Sequence, residues 1–189
     1  TGHSRAEKYD GEEYTVSGYE IAADNSLYET SNVQFNGAKD SATGKNAGSY
    51  TTKLNAAEFV NTNENFANVT FVIQNDIVLT VQKRTVTLTS ATASKVYDGT
   101  PLTNSEITVG GDGFANGEGA TYEVTGTQTI AGTSDNTFNY ILNAGTNADN
   151  YEISKHEGKL IVTATKDEVV VTITEQSGSF LYNGTEHTV

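Results

Sequence analysis

The chain has 189 residues, a net charge of −13 at pH 7, and no cysteine, methionine or tryptophan. The lack of cysteine excludes a disulfide framework, a thiolate metal site and a cysteine nucleophile. The acidic balance argues against nucleic acid and anionic membrane surfaces, where a basic face supplies the affinity, and no stretch approaches the roughly 20 apolar residues a spanning helix needs.

A chain that does not begin with methionine reads as part of a longer protein. Thr, Val, Ile and Tyr favour half-buried pleated surfaces, and the abundant Asn, Gly and Asp favour turns. An all-β fold is predicted.

In chain order, the first feature is "EKYDG" at 7–11, which returns as "KVYDG" at 95–99 and "FLYNG" at 180–184. Each Tyr-Asp/Asn-Gly phrase sits between strand-like runs. It predicts a two-residue type I′ hairpin turn, with positive φ at both central residues and the tyrosine ring tucked beneath. The residues singled out are Tyr9, Asp10 and Gly11, then Tyr97, Asp98 and Gly99, then Tyr182, Asn183 and Gly184. Three copies in differing contexts point to a structural corner of a repeated module.

Further along, "NAAEFVNTNENFAN" (55–68) comes nearest to a helix, but its asparagines speak against one. Alternation of period two then marks strands at Val86, Leu88 and Ser90, at Ile107 and Val109, and at Tyr122 and Val124. It continues at Phe138, Tyr140 and Leu142, at Tyr151 and Ile153, and at Leu160 and Val162. Loops are predicted at 110–119, 132–136 and 143–150. Laid on itself, the chain matches Asn68 to Asn150, Phe71 to Ile153, Val78 to Leu160 and Thr80 to Val162.

Six or seven short strands in about 85 residues predict a small sandwich. The expected organisation is elongated: module A over 1–83, module B over 84–164, and the opening strands of a third repeat over 165–189. Module A lacks a counterpart of the strand bearing Val86 and Leu88, while Val169, Val171 and Ile173 repeat that strand with nothing after them to complete a module. Joints without Gly, Pro or Ser, at 81–84 and 164–167, predict stiffness.

The segment from Ser94 to Thr163 resembles the tandem YDG/MBG-type repeats of bacterial cell-surface, adhesin-like proteins. The resemblance rests on Tyr97-Asp98-Gly99-Thr100, the Ala131-Gly132 step, Asp149-Asn150-Tyr151 and the closing Gly158-x-Leu160-x-Val162. Module A matches more loosely, with Phe66-Ala67-Asn68-Val69 where module B has Ala148-Asp149-Asn150-Tyr151. The resemblance implies a non-catalytic extracellular repeat used as a stalk or adhesive module, at the cell surface or wall, and carries over no binding residues.

A search for chemistry returns no catalytic, cofactor or metal site. His3, His156 and His187 read as surface positions. Asp112, Asn116 and Glu118 give an oxygen density suited to calcium, but Phe114 stands where a ligand belongs, and turn chemistry explains this loop and the one at 145–150. Lys53, Lys83, Lys95, Lys155 and Lys159, the candidates for an isopeptide bond, have polar neighbours and read as solvated. There is no nucleophile elbow and no phosphate-cradling loop.

The leading expectation is therefore a stalk whose partners are neighbouring repeats. The second is a module binding host glycan, mucin or protein through Phe114, Tyr28 and Tyr122.

Overall fold

A computed structural model describes residues 1–188. Its first half carries β1 (Ser4–Lys8), β2 (Tyr14–Ser17), β3 (Val33–Phe35), β4 (Ser41–Gly44), β5 (Gly48–Thr52), β6 (Phe59–Asn61) and β7 (Ile77–Gln82). The second half carries β8 (Arg84–Ser90), β9 (Ala93–Val96), β10 (Ile107–Gly111), β11 (Ala120–Val124), β12 (Gly132–Asp135), β13 (Phe138–Leu142), β14 (Tyr151–His156) and β15 (Lys159–Thr163). The fold is all-β; its only helical pieces among the described residues are three single 3-10 turns.

The same pairings occur in both halves. A mixed sheet β1-β7-β5 in the first answers to β9-β15-β12 in the second. In each, the strand leading to the Tyr-Asp-Gly phrase lies parallel to the closing strand. The antiparallel ribbon β3-β6 answers to β11-β13, and the β2-β4 ladder answers to a single bridge between Leu102 and Gln128. The sheet β10-β8-β14 occurs in the second half only. Lys83 alone separates β7 from β8.

Burial follows the period of two. Ile77, Leu79 and Val81 point inward from β7, Val86, Leu88 and Ser90 from β8, and Leu160 and Val162 from β15. Each apolar side chain so buried stabilises the fold by roughly 1.5–3 kcal/mol. One buried cluster runs from Ile77 and Leu79 through Tyr9 and Tyr151 to Val86 and Phe138, so the apolar interior is continuous between the halves.

Several expectations change. The strands predicted for the second half are present, but β9 and β12 join them. "ASKV" and "GTSD" have no apolar alternation to announce them. They are fixed by backbone pairing on either side of β15. The repeat register also shifts by one residue. The Tyr9 amide donates to Gln82 O at 2.9 Å and the Tyr97 amide to Thr163 O at 2.7 Å, so Leu79 answers to Leu160 and Val81 to Val162. The register assumed from the sequence would have turned β7 inside out. Between 55 and 61 the chain forms a 3-10 turn, Ala56–Glu58, closed by a capping box of Asn55 and Glu58, and then β6. Residues 164–188 form no strand, and Val169, Val171 and Ile173 lie exposed; Val189 lies outside the described residues.

Candidate functional site: the tyrosine corner and the joint

The three Tyr-Asp/Asn-Gly phrases share one local geometry. Asp10 Oδ1 accepts the Glu12 amide at 2.9 Å, Asp98 Oδ1 the Thr100 amide at 2.9 Å, and Asn183 Oδ1 the Thr185 amide at 3.0 Å. This side-chain-to-backbone bond two residues on is an Asx turn. Gly11, Gly99 and Gly184 take φ of 90°, 80° and 77°, and no non-glycine residue among those described has positive φ. Asp10 and Asp98 therefore exclude the predicted type I′ turn. The hairpin is excluded too, because β1 pairs with β7 and β2 with β4. In the copies at 9–11 and 97–99 the phrase is a corner that carries the chain out of one sheet and toward another.

Each corner is then braced differently. The Tyr14 hydroxyl donates to Asp10 Oδ2 at 2.5 Å, which pushes the Tyr14 phenol up and the Asp10 carboxyl down from their ordinary values. Lys95 Nζ donates to Asp98 Oδ1 at 2.7 Å and to Thr100 O at 2.6 Å. That ammonium holds the Asp98 carboxyl well below the usual carboxylate range. His187 Nε2 lies 3.0 Å from Asn183 Oδ1, and its ring stacks on Phe180.

The tyrosines part company. Tyr9 is 3% exposed, Tyr97 42% and Tyr182 97%. Tyr9 is buried because the second half covers it. Its ring meets Tyr151 edge to face with centroids 5.7 Å apart, and its hydroxyl donates to Glu118 Oε1. The Tyr151 hydroxyl donates to Glu118 Oε2 at 2.8 Å and accepts the Ala115 amide at 3.0 Å. Burial first, and then the Glu118 carboxylate, push both phenols up to about 12.

Around this centre the joint is polar and satisfied. The Arg84 guanidinium donates to Tyr9 O at 3.2 Å, to Gly113 O at 2.8 Å and to Asp112 O. Lys8 Nζ pairs with Asp112 Oδ1 at 2.6 Å, while Asp112 Oδ2 accepts the Thr85 amide at 2.9 Å and the Thr85 hydroxyl at 3.0 Å. Lys8 before all else holds the Asp112 carboxyl low. Asn150, fully buried, accepts the Ala47 amide at 2.8 Å and donates to Asn46 Oδ1 at 3.1 Å. The turn between β4 and β5 is thereby tied to the start of β14.

Residues read from the sequence as separate features thus meet. Asp112 and Glu118, weighed as calcium ligands, spend their oxygens on Lys8, Thr85, Tyr9 and Tyr151. Phe114 packs on Tyr151 at 5.2 Å. Tyr28 packs on Phe66 at 5.3 Å and donates to Asn61 Oδ1 at 2.8 Å. Tyr122 is half-buried opposite Tyr140. Phe114 and Tyr122 thus pack against protein, while Tyr28 also lines a cavity together with Tyr19 and Phe71. His3, His156 and His187 are exposed and lie apart from the joint. Lys95, Lys155 and Lys159 are ion-paired with Asp98, Glu157 and Asp135.

Sequence reasoning missed Arg84 and Asn46, and the joint roles of Glu118 and Asn150–Tyr151. The one visible signal was that Arg84, one of two arginines, falls where the two halves of the chain meet. The arrangement offers no activated nucleophile. It is a latch: two phenols on one carboxylate, one guanidinium on three carbonyls. No protein-family model, curated protein or solved structure matches the chain.

Proposed function

We propose that the chain is a non-catalytic stalk or spacer segment of an extracellular, adhesin-like bacterial surface protein. It is built from tandem immunoglobulin-like sandwich repeats over 1–83 and 84–164, with a third opening over 165–189. The reading is supported most by the joint: one residue, Lys83, separates β7 from β8, and the Tyr9 corner is buried in the following half. A unit seated in its neighbour over such a short connection has little room to swing.

The Tyr-Asp-Gly corner is then the device by which one repeat docks on the next, and the partner of each repeat is the repeat that follows. Tyr97, 42% exposed, presents the same corner on the second half. In such arrays each unit touches only its neighbours, so reach grows by adding copies. The resemblance to YDG-type repeats agrees with this reading.

Small-angle scattering tests it. The parent chain is expected to fit a single inter-repeat angle, and the double variant Tyr9→Ala, Arg84→Ala to need a broad range of angles. A parent that itself needs a broad range removes the stalk reading. Glycan arrays are expected to be flat; a hit abolished by Phe114→Ala or Tyr28→Ala would favour the ligand-binding role instead.

A further inference from the structure

Asparagine followed by glycine occurs three times, at Asn36-Gly37, Asn116-Gly117 and Asn183-Gly184. Glycine places no side chain beside its own amide nitrogen, so that nitrogen can reach the carboxamide of the asparagine before it. All three asparagines are exposed. Their surroundings differ, and the difference singles out one of them.

At Asn183 the carboxamide is held. Its Oδ1 accepts the Thr185 amide at 3.0 Å and the Thr185 hydroxyl at 2.7 Å, and His187 Nε2 lies 3.0 Å away. At Gly37 the backbone is crowded. A Cβ added there would lie 2.1 Å from Phe35 Cζ and 2.9 Å from Glu58 Oε2, so little room remains for a ring closed on that residue. Neither restraint applies at Asn116-Gly117. Gly117 has φ of 78°, and an added Cβ meets nothing within 4 Å. Among the described residues the Asn116 side chain and the Gly117 amide make no hydrogen bond.

This free step lies between two anchors of the joint. It forms the centre of a turn closed by the Glu118 amide on Ala115 O at 3.0 Å. At one end the Ala115 amide donates to the Tyr151 hydroxyl at 3.0 Å. At the other the Glu118 carboxylate accepts the Tyr9 and Tyr151 hydroxyls.

We infer that Asn116-Gly117 is a self-modification site, with water as its co-reactant, and that its isoaspartate product opens the joint. The Gly117 nitrogen gives its proton to solvent and bonds to Asn116 Cγ. The bond from Cγ to Nδ2 breaks, and ammonia leaves with a proton returned from solvent. Water then opens the cyclic imide at either carbonyl. Cleavage between Cγ and the ring nitrogen gives aspartate. Cleavage between the main-chain carbonyl carbon and that nitrogen gives isoaspartate, whose chain runs through Cγ. The sum is a water consumed and an ammonia released, with nothing oxidised. Isoaspartate adds a carbon to the main chain between Ala115 and Glu118, so the two cannot both keep their bonds to the tyrosines. The inference concerns how long the joint lasts and does not depend on the stalk reading.

The test ages the full chain in warm, mildly alkaline buffer and maps its peptides by mass, with isoaspartate scored by an isoaspartyl methyltransferase. Conversion at Asn116 should run several-fold ahead of Asn36 and Asn183. In the isoaspartate-bearing fraction, hydrogen exchange at residues 9–13 should quicken roughly tenfold or more, as expected when a bond to a charged acceptor is lost. Aged Asn116→Gln, whose longer side chain closes the ring slowly, should exchange like the fresh chain. Fresh Asn116→Asp should do the same, because it carries the charge without the extra carbon. Position 116 is exposed in a turn, so folding is not at stake in either variant. Conversion at Asn116 no faster than at the other two sites overturns the proposal. So does an isoaspartate-bearing chain that exchanges like the fresh one, or an Asn116→Asp chain as loose as the aged one.

Discussion

Tyr9 and Tyr151, one from each half of the chain, meet edge to face and donate their hydroxyls to the two oxygens of the same carboxylate, Glu118. The pair makes the Tyr-Asp-Gly corner unequal in its copies. Tyr9→Ala removes a buried ring and should cost about 3–5 kcal/mol, whereas Tyr97→Ala, at a half-open site, should cost under about 1 kcal/mol. Tyr9→Phe should fall between, at about 1–3 kcal/mol, because the lost hydrogen bond was to a charged acceptor. Urea unfolding of the three variants measures this order.

Arg84 holds three carbonyls that no other side chain serves in the same way. Arg84→Ala should destabilise by about 2–3 kcal/mol, the cost of leaving three part-buried acceptors without their charged donor. Arg84→Lys should recover little of it, because an ammonium cannot reproduce the planar fork. Hydrogen exchange should quicken at residues 9–13 and 112–118 in both variants while the centre of β15 stays protected.

Two glycines in the second half separate backbone strain from crowding. At Gly99, φ is 80° and an added Cβ meets nothing within 4 Å, so Gly99→Val should cost about 1–3 kcal/mol through conformation alone. At Gly158 an added Cβ would lie 2.4 Å from Ser90 O and 2.5 Å from Ala91 O. Gly158→Ala should therefore lower the melting temperature more than Gly99→Val, although the side chain is smaller. The reverse order in thermal melts would remove the corner assignment at Gly99.

Alkali should loosen the joint. Tyr9 and Tyr151 titrate at about 12 in the folded chain, against an ordinary value of 10.0. Their protonated forms support folding fully below pH 10, and that support drains away as the pH rises toward 12, because the unfolded chain ionises first. The melting temperature should fall across this window. In the Tyr9→Phe, Tyr151→Phe chain, which starts lower, the fall should be shallower.

The sequence made the strands with apolar alternation legible, because Val86 and Leu88, or Leu160 and Val162, must hide one face. It did not reveal β9 or β12, whose partners are backbone groups supplied by β15. It misjudged the register of β7, because the segment between β6 and β7 is too irregular for spacing to be counted across it. The three corners were visible as phrases, but their turn type was not. Asp tolerates positive φ without requiring it, and here the Asx bond leaves the left-handed role to glycine. The joint was the least legible part. Glu118 lies 109 residues from Tyr9, and nothing local marks a loop carboxylate as the acceptor for a distant phenol.

The parallel pairing of β1 with β7, and of β9 with β15, has a mechanical consequence. The chain runs along β1 near its start and leaves the first half along β7, pointing the same way. Tension on the two ends slides these neighbours past one another, so the bonds of the ladder are loaded together rather than opened one at a time. The second half also holds a parallel pair, β9 with β15, but the chain enters it along β8, which lies parallel to β14 in a separate sheet. With one residue between β7 and β8, the pull passes from one central strand directly to the next, and little extension is available before a whole ladder must shear.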